Sequence, residues 1–186
     1  MDKNPVITLS PKETSKYEKS ITINVSATVF TDNTVSSMTY KLDGGSEQSV
    51  TNNQIVINTD GEHTIEVTVT DNKGYTTTIT SGTYKIDNTP PTITFAEGDA
   101  GIRLRASKVE GYDLKTGVTL TDNNEISIDD VKTNGNLSEV INEYKIIYTV
   151  TDEAGNQTIK ERKFNVTAEC DTYIMGKNIT SGEVVC

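Results

Sequence analysis

The chain has no tryptophan, one histidine, two cysteines and four prolines in 186 residues. With His63 as the single histidine, a Ser/His/Asp or Cys/His arrangement has one imidazole to draw on, and no serine or cysteine stands with it in a nucleophile motif. GxGxxG and GxxxxGK[ST] are both missing, so no phosphate cradle is encoded. No run of 18 apolar residues occurs, which excludes a hydrophobic spanning helix. Basic residues are also in short supply. Lys and Arg number 17 against 27 Asp and Glu, giving a net charge of −10 and a pI near 4.6. The deficit is even: residues 1–88 carry −4, residues 89–168 carry −4 and the rest carry −2. No basic patch is hidden in the total, so neither nucleic acid nor an anionic membrane surface is an expected partner, and no membrane insertion is expected.

Met1-Asp2-Lys3-Asn4-Pro5 lacks the charged and apolar segments of a signal peptide. The expectation is an excised part of a larger exported protein, with a cytoplasmic protein as the alternative. Cys170 and Cys186 both lie in the tail, residues 169–186. A disulfide between them closes a loop of about 15 residues and contributes about 3 kcal/mol against its unfolding; two free thiols are the alternative. A zinc site needs three or four ligands, which this tail cannot supply. The missing tryptophan weighs against sugar binding by aromatic stacking, although tyrosines can substitute.

What the chain does have is alternation. Ile21, Ile23, Val25, Ala27 and Val29 are separated by polar residues, as are Met38, Tyr40 and Leu42, then Ile65, Val67 and Val69. Period 2 with turn residues between the runs predicts short strands with one buried face. Asp43-Gly44-Gly45 and Asp60-Gly61 are turn signals. The run from Thr76 to Ile86 reads as one strand with a bulge at Gly82. After Asp87-Asn88-Thr89-Pro90-Pro91 the pattern resumes at Thr92-Ile93-Thr94-Phe95, with Ile102 and Leu104, Val118-Thr119-Leu120, Val131 and Val140 as weaker strands. Tyr144, Ile146, Tyr148 and Val150 alternate cleanly, and Phe164 and Val166 close the pattern. No segment has helical period. The expected fold is all-β: two tandem immunoglobulin-like β-sandwiches, residues 1–88 and 89–168, joined by a short Pro-Pro linker. Residues 169–186 follow as a tail or as the start of a further segment.

One stretch occurs twice, as Val69-Thr70-Asp71-Asn72-Lys73-Gly74 and as Val150-Thr151-Asp152-Glu153-Ala154-Gly155-Asn156. The two aspartates lie 81 positions apart. An aspartate that accepts nearby backbone N–H groups, followed by a glycine free to take φ > 0, makes a hairpin turn. Calcium is the competing reading, but six to eight oxygens exceed what one hairpin offers. Tyr144 stands eight residues before Asp152, as His63 does before Asp71, so His63 is expected to fill a corner position. Asp122, Glu125, Asp129 and Asp130 form a second acidic stretch and are weaker calcium candidates; a solvated acidic edge that discourages sheet association is the alternative. Asp129 and Asp130, if on a strand, point to opposite faces and do not suit acid–base work on one substrate. No cofactor is otherwise expected.

Tyr40-Lys41-Leu42-Asp43-Gly44-Gly45, Asp60-Gly61-Glu62-His63-Thr64-Ile65, the first copy of the repeat and Ile86-Asp87-Asn88-Thr89-Pro90-Pro91 occur in that order. Together they resemble the Ig-like repeats of bacterial surface and secreted proteins. The second half resembles another bacterial Ig-like family, the one named for a pesticidal crystal protein. The matching residues are Gly117 to Asp122, Tyr144 to Asn156, Arg162 and Val166. Asn123-Asn124-Glu125 replaces the Asp-Gly-Asp segment common in that family. These resemblances imply a non-catalytic spacer module on a bacterial surface or secreted protein, contributing to adhesion. Its partners are then the neighbouring domains of a longer parent and a host or cell-wall glycan or protein. A glycan- or protein-binding module and a phage virion decoration domain are the alternatives. Lys–Asn isopeptide cross-links, found in some bacterial Ig-like domains, cannot be assigned to particular residues.

Overall fold

The computed structural model describes residues 3–168, so the Cys170 and Cys186 pairing lies outside the described residues. The chain divides into two compact units, Met1–Pro90 together with Asp152–Asn156, and Pro91–Thr151 together with the segment from Gln157 onward. Both are built from strands; three single turns of 3-10 helix are the only helical elements among the described residues.

In the first unit β1 (Val6–Ser10), β2 (Ile21–Thr28) and β5 (Gln54–Ile57) form an antiparallel sheet in the order β1-β2-β5. β4 (Glu47–Ser49), β3 (Val35–Leu42), β7 (Ile65–Asp71) and β8 (Thr76–Thr80) form another, in the order β4-β3-β7-β8. The period of 2 decides what is buried. Along β7, Ile65, Val67 and Val69 are fully buried, and they meet Ile23, Val25, Ile55 and Ile57 in one core. Burying each such side chain contributes about 1.5–3 kcal/mol. The opposite face is threonine: Thr68 pairs with Thr78 at 2.9 Å and Thr70 with Thr76 at 3.0 Å.

The run from Thr76 to Ile86 is not one bulged strand. It breaks after Thr80, and β9 (Tyr84–Ile86) leaves β7 to pair with β6 (Gly61–His63). The physical reason lies at Gly82. Its N–H donates to the Lys12 carbonyl (3.0 Å), and a Cβ there would collide with the Glu13 carboxylate. The crossing strand therefore follows the β1–β2 loop instead of the ladder.

In the second unit β10 (Thr92–Phe95) pairs with β12 (Val118–Thr121), forming a sheet of only two strands. The facing sheet has the order β11-β15-β14-β13, from β11 (Ile102–Arg105), β15 (Gln157–Thr167), β14 (Asn142–Thr151) and β13 (Lys132–Asn134). β11 runs parallel to β15, with Ile102 opposite Phe164. Ile93, Phe95, Val131, Ile146, Tyr148, Val150 and Phe164 make the core. Val140 lies outside any strand and is 66% exposed. The segment containing Asp129 and Asp130 is a 3-10 turn, Ile128–Asp130.

Candidate functional site

The repeated motif builds the same turn twice. Asp71 accepts the N–H groups of Lys73 and Tyr75 on one carboxylate oxygen, both at 2.9 Å, and Asn33 donates to the other at 2.5 Å. Gly74 takes φ +85°. Burial disfavours the Asp71 charge, but these donors outweigh it and hold the carboxyl below its ordinary range. At the second copy Asn156 N–H donates to Asp152 at 2.7 Å, and Gly155 takes φ +86°. The Asn156 side chain is buried, and it donates to the Asp152 carboxylate (2.8 Å) and to the Asp87 carbonyl (3.0 Å). Both acidic groups thus close hairpins.

The second acidic stretch is ordered by its own bonds. Ser127 caps the 3-10 turn: its hydroxyl accepts from Asp129 N–H at 3.2 Å, and the Asp130 carboxylate accepts from Ser127 N–H at 2.9 Å. This reciprocal pair satisfies donors that a helix start leaves open. Lys115 reaches across and donates its ammonium to the Ile128 carbonyl at 2.9 Å. Glu125, Asp129 and Asp130 are exposed and Asp122, just past β12, is half-buried. Among the described residues no three of these four bring their carboxylates within metal-holding reach of one another.

Arg162 is a heavily bonded side chain of the second unit, 2% exposed in the middle of β15. Its Nε and Nη2 donate to both Glu97 oxygens at 2.6 and 2.8 Å, and its Nη1 donates to the carbonyls of Leu114 (3.1 Å) and Thr116 (2.8 Å). The guanidinium carbon lies 4.9 Å from the Phe95 ring centre, 5.4 Å from that of Phe164 and 5.9 Å from that of Tyr148. Hydrogen bonding from Arg162 holds the Glu97 carboxyl below its ordinary range, against a smaller opposing effect of burial. Tyr148 adds an O–H bond to the Leu114 carbonyl at 2.6 Å. The sequence does carry a signal for this centre: Arg162 is in phase with Phe164 and Val166 on the inward side of β15. Nothing local announces Glu97 as its partner. A cavity of about 260 Å³ beside the pair is lined by Phe95, Gly98, Asp99, Gly101, Glu161 and Lys163.

His63 lies at the end of β6 and not, as Tyr144 does in the second unit, on the strand that leads into the repeated motif. Its Nδ1 lies 2.7 Å from Asp43 Oδ2 and its Nε2 lies 2.8 Å from the Thr59 carbonyl oxygen.

No family model matches the chain, and no curated protein does. Among solved structures, the chain is similar to the fibronectin(III)-like modules of CbhA from Clostridium thermocellum. The identity is 15%, over 93% of this chain and 100% of that one, with a TM-score of 0.37. It is also similar to EC1-4 of Drosophila N-cadherin (13% identity, 88% of this chain and 49% of that one, TM-score 0.47). A further likeness is to SGBP-B of Bacteroides ovatus, solved in complex with a mixed-linkage heptasaccharide (13% identity, 89% of this chain and 48% of that one, TM-score 0.34). The chain spans about half the length of the last two. The strand pairing itself shows the fold, an all-β chain of immunoglobulin-like β-sandwiches.

Proposed function

We propose that the chain is a non-catalytic structural module, a pair of β-sandwiches that serves as a spacer in a bacterial cell-surface or secreted protein. The observation that carries this reading is how three of the buried polar groups, Asp71, Asn156 and Arg162, are used. Asp71 and Asn156 close hairpins, and Arg162 locks Glu97 and the Leu114 and Thr116 carbonyls. Each is committed to holding backbone in place, which is the chemistry of a scaffold. The resemblance to bacterial Ig-like repeats supports the same reading, with the neighbouring domains of a longer parent as its partners.

A second reading is a module that binds a glycan or a protein, with a site on residues 122–130. The capping box and Lys115 hold this loop in one conformation, and binding loops gain affinity from such preorganisation. Glycan-array and pull-down measurements on the purified chain separate the two. The spacer reading expects no saturable partner. A saturable glycan or protein that is lost when residues 122–130 are replaced establishes the binding reading instead, and repeating the assay with added calcium tests the acidic candidates there.

A further inference from the structure

The two units carry the same corner bond made by different chemistry. In the second unit Tyr144 O–H donates to the carbonyl four residues back, Val140, at 2.8 Å. In the first, His63 Nε2 makes the matching bond to the carbonyl four residues back, Thr59, also at 2.8 Å. Both pairs are offset by the repeat distance of 81. A phenolic O–H is a donor throughout the neutral range, whereas an imidazole nitrogen is a donor only when it carries a proton.

His63 faces acceptors on both sides, the Asp43 carboxylate at Nδ1 and the Thr59 carbonyl at Nε2. A neutral ring has one N–H and can serve only one of them; the imidazolium serves both. A ready alternative exists for the neutral ring. Thr59 Oγ1 lies 3.3 Å from Nε2 and can donate to it, in place of the carbonyl bond. The corner therefore has two hydrogen-bond arrangements, selected by one proton. Its neighbour Asp60 holds the segment that leaves the unit, accepting from Asn88 N–H at 2.6 Å and from the Thr89 hydroxyl.

We propose that His63 is a proton-operated latch: as imidazolium it ties the β3–β4 turn to the Thr59 carbonyl at the corner next to Asp60, which anchors the exit segment, and on losing its proton it gives up that carbonyl and holds the corner only through the longer Thr59 hydroxyl bond. The other charged groups around it are already engaged. Glu62 on β6 pairs with Lys85 of β9 at 3.8 Å, and Lys41 of β3 pairs with Glu66 of β7 at 3.7 Å. Tyr84, opposite His63 on β9, is pushed up to about 12 by burial. Asp43 is the carboxylate that faces the ring. Burial works against the His63 charge, but the bonds to Asp43 and to the backbone at Thr59 and Asp60 prevail and raise its pKa above the ordinary 6.5. With a raised pKa, the latch's contribution is complete below the unfolded value and is lost as pH rises through the folded one.

Because His63 is the only histidine, an NMR pH titration of the full chain reads it without ambiguity. The expected result is both ring nitrogens protonated at pH 6, a midpoint above 6.5, and an Asn88 amide resonance that shifts with the same midpoint. Thr59→Val removes the neutral ring's alternative partner and moves the midpoint further up; Asp43→Asn moves it down. A midpoint at or below the ordinary value, an Asn88 resonance that ignores it, or a Thr59→Val variant with an unmoved midpoint overturns the proposal. Thr59→Val keeps the shape of the side chain, so the test survives if Asp43→Asn does not fold.

Discussion

The first unit, with nine paired strands, fills its core with aliphatic side chains. Ile23, Ile55, Ile57, Ile65, Val67, Val69 and Ile86 are all buried, with Tyr84 the one fully buried aromatic of this unit among the described residues. The second unit faces four strands with only two, and its core is different in kind: Phe95, Tyr148 and Phe164 surround Arg162. A shorter sheet supplies fewer inward positions. A long side chain that also bonds two loop carbonyls does the work that missing strands do in the first unit. The same sandwich can thus be closed by area or by a buried charge, and the two closures fail in different ways.

The largest effect expected is at Glu97. Its replacement by Ala leaves the Arg162 charge buried without its carboxylate, and breaking such a pair costs about 3–5 kcal/mol. Hydrogen exchange should show Ile146 and Tyr148 amides losing protection while Ile65 and Val67 keep theirs. Adding Arg162→Met restores most of the loss, since an apolar replacement of a whole buried pair is often neutral. In the first unit the matching probe is Ile65→Val, expected to cost about 0.5–1.5 kcal/mol in chemical denaturation, because only one methylene is removed.

Titration sharpens the contrast further. The lowered carboxyls Glu97, Asp71 and Asp43 give stability that is complete above the unfolded values and is lost as pH falls through the folded ones. Both units therefore weaken in acid. The first unit also weakens as pH rises through the His63 midpoint, so its stability peaks in a mildly acidic window. Thermal melts from pH 3 to pH 8, read through unit-specific amides, check this.

Strands were legible where alternation was clean, as in Ile21 to Thr28 and Tyr144 to Val150, because the period of 2 follows from the backbone itself. The two hairpin aspartates were legible for a similar reason, since their partners lie two to four residues away. Gly82 was read as a bulge because the sequence does not show that Glu13 and Lys12 approach it from 70 positions off. The 3-10 turn that holds Asp129 and Asp130 went unread because a one-turn element has no period to detect. Arg162 was in view only as a residue of the family resemblance, and its meaning depends on Glu97, which arrives from a different strand's end. Long-range pairing of this kind, like the parallel match of β11 with β15, leaves no local trace.

The threonine face of β8 has a consequence for solubility. β8 ends its sheet, and Thr76, Thr77, Thr78, Ile79 and Thr80 give that edge no charge at all. Edges of other proteins are commonly guarded by lysines or prolines placed on the strand. Here the net charge of −10 is expected to supply the repulsion instead. Salt shortens the reach of that repulsion to about 10 Å at 0.1 M. Light scattering should therefore show self-association rising with ionic strength, and Thr78→Lys should suppress it.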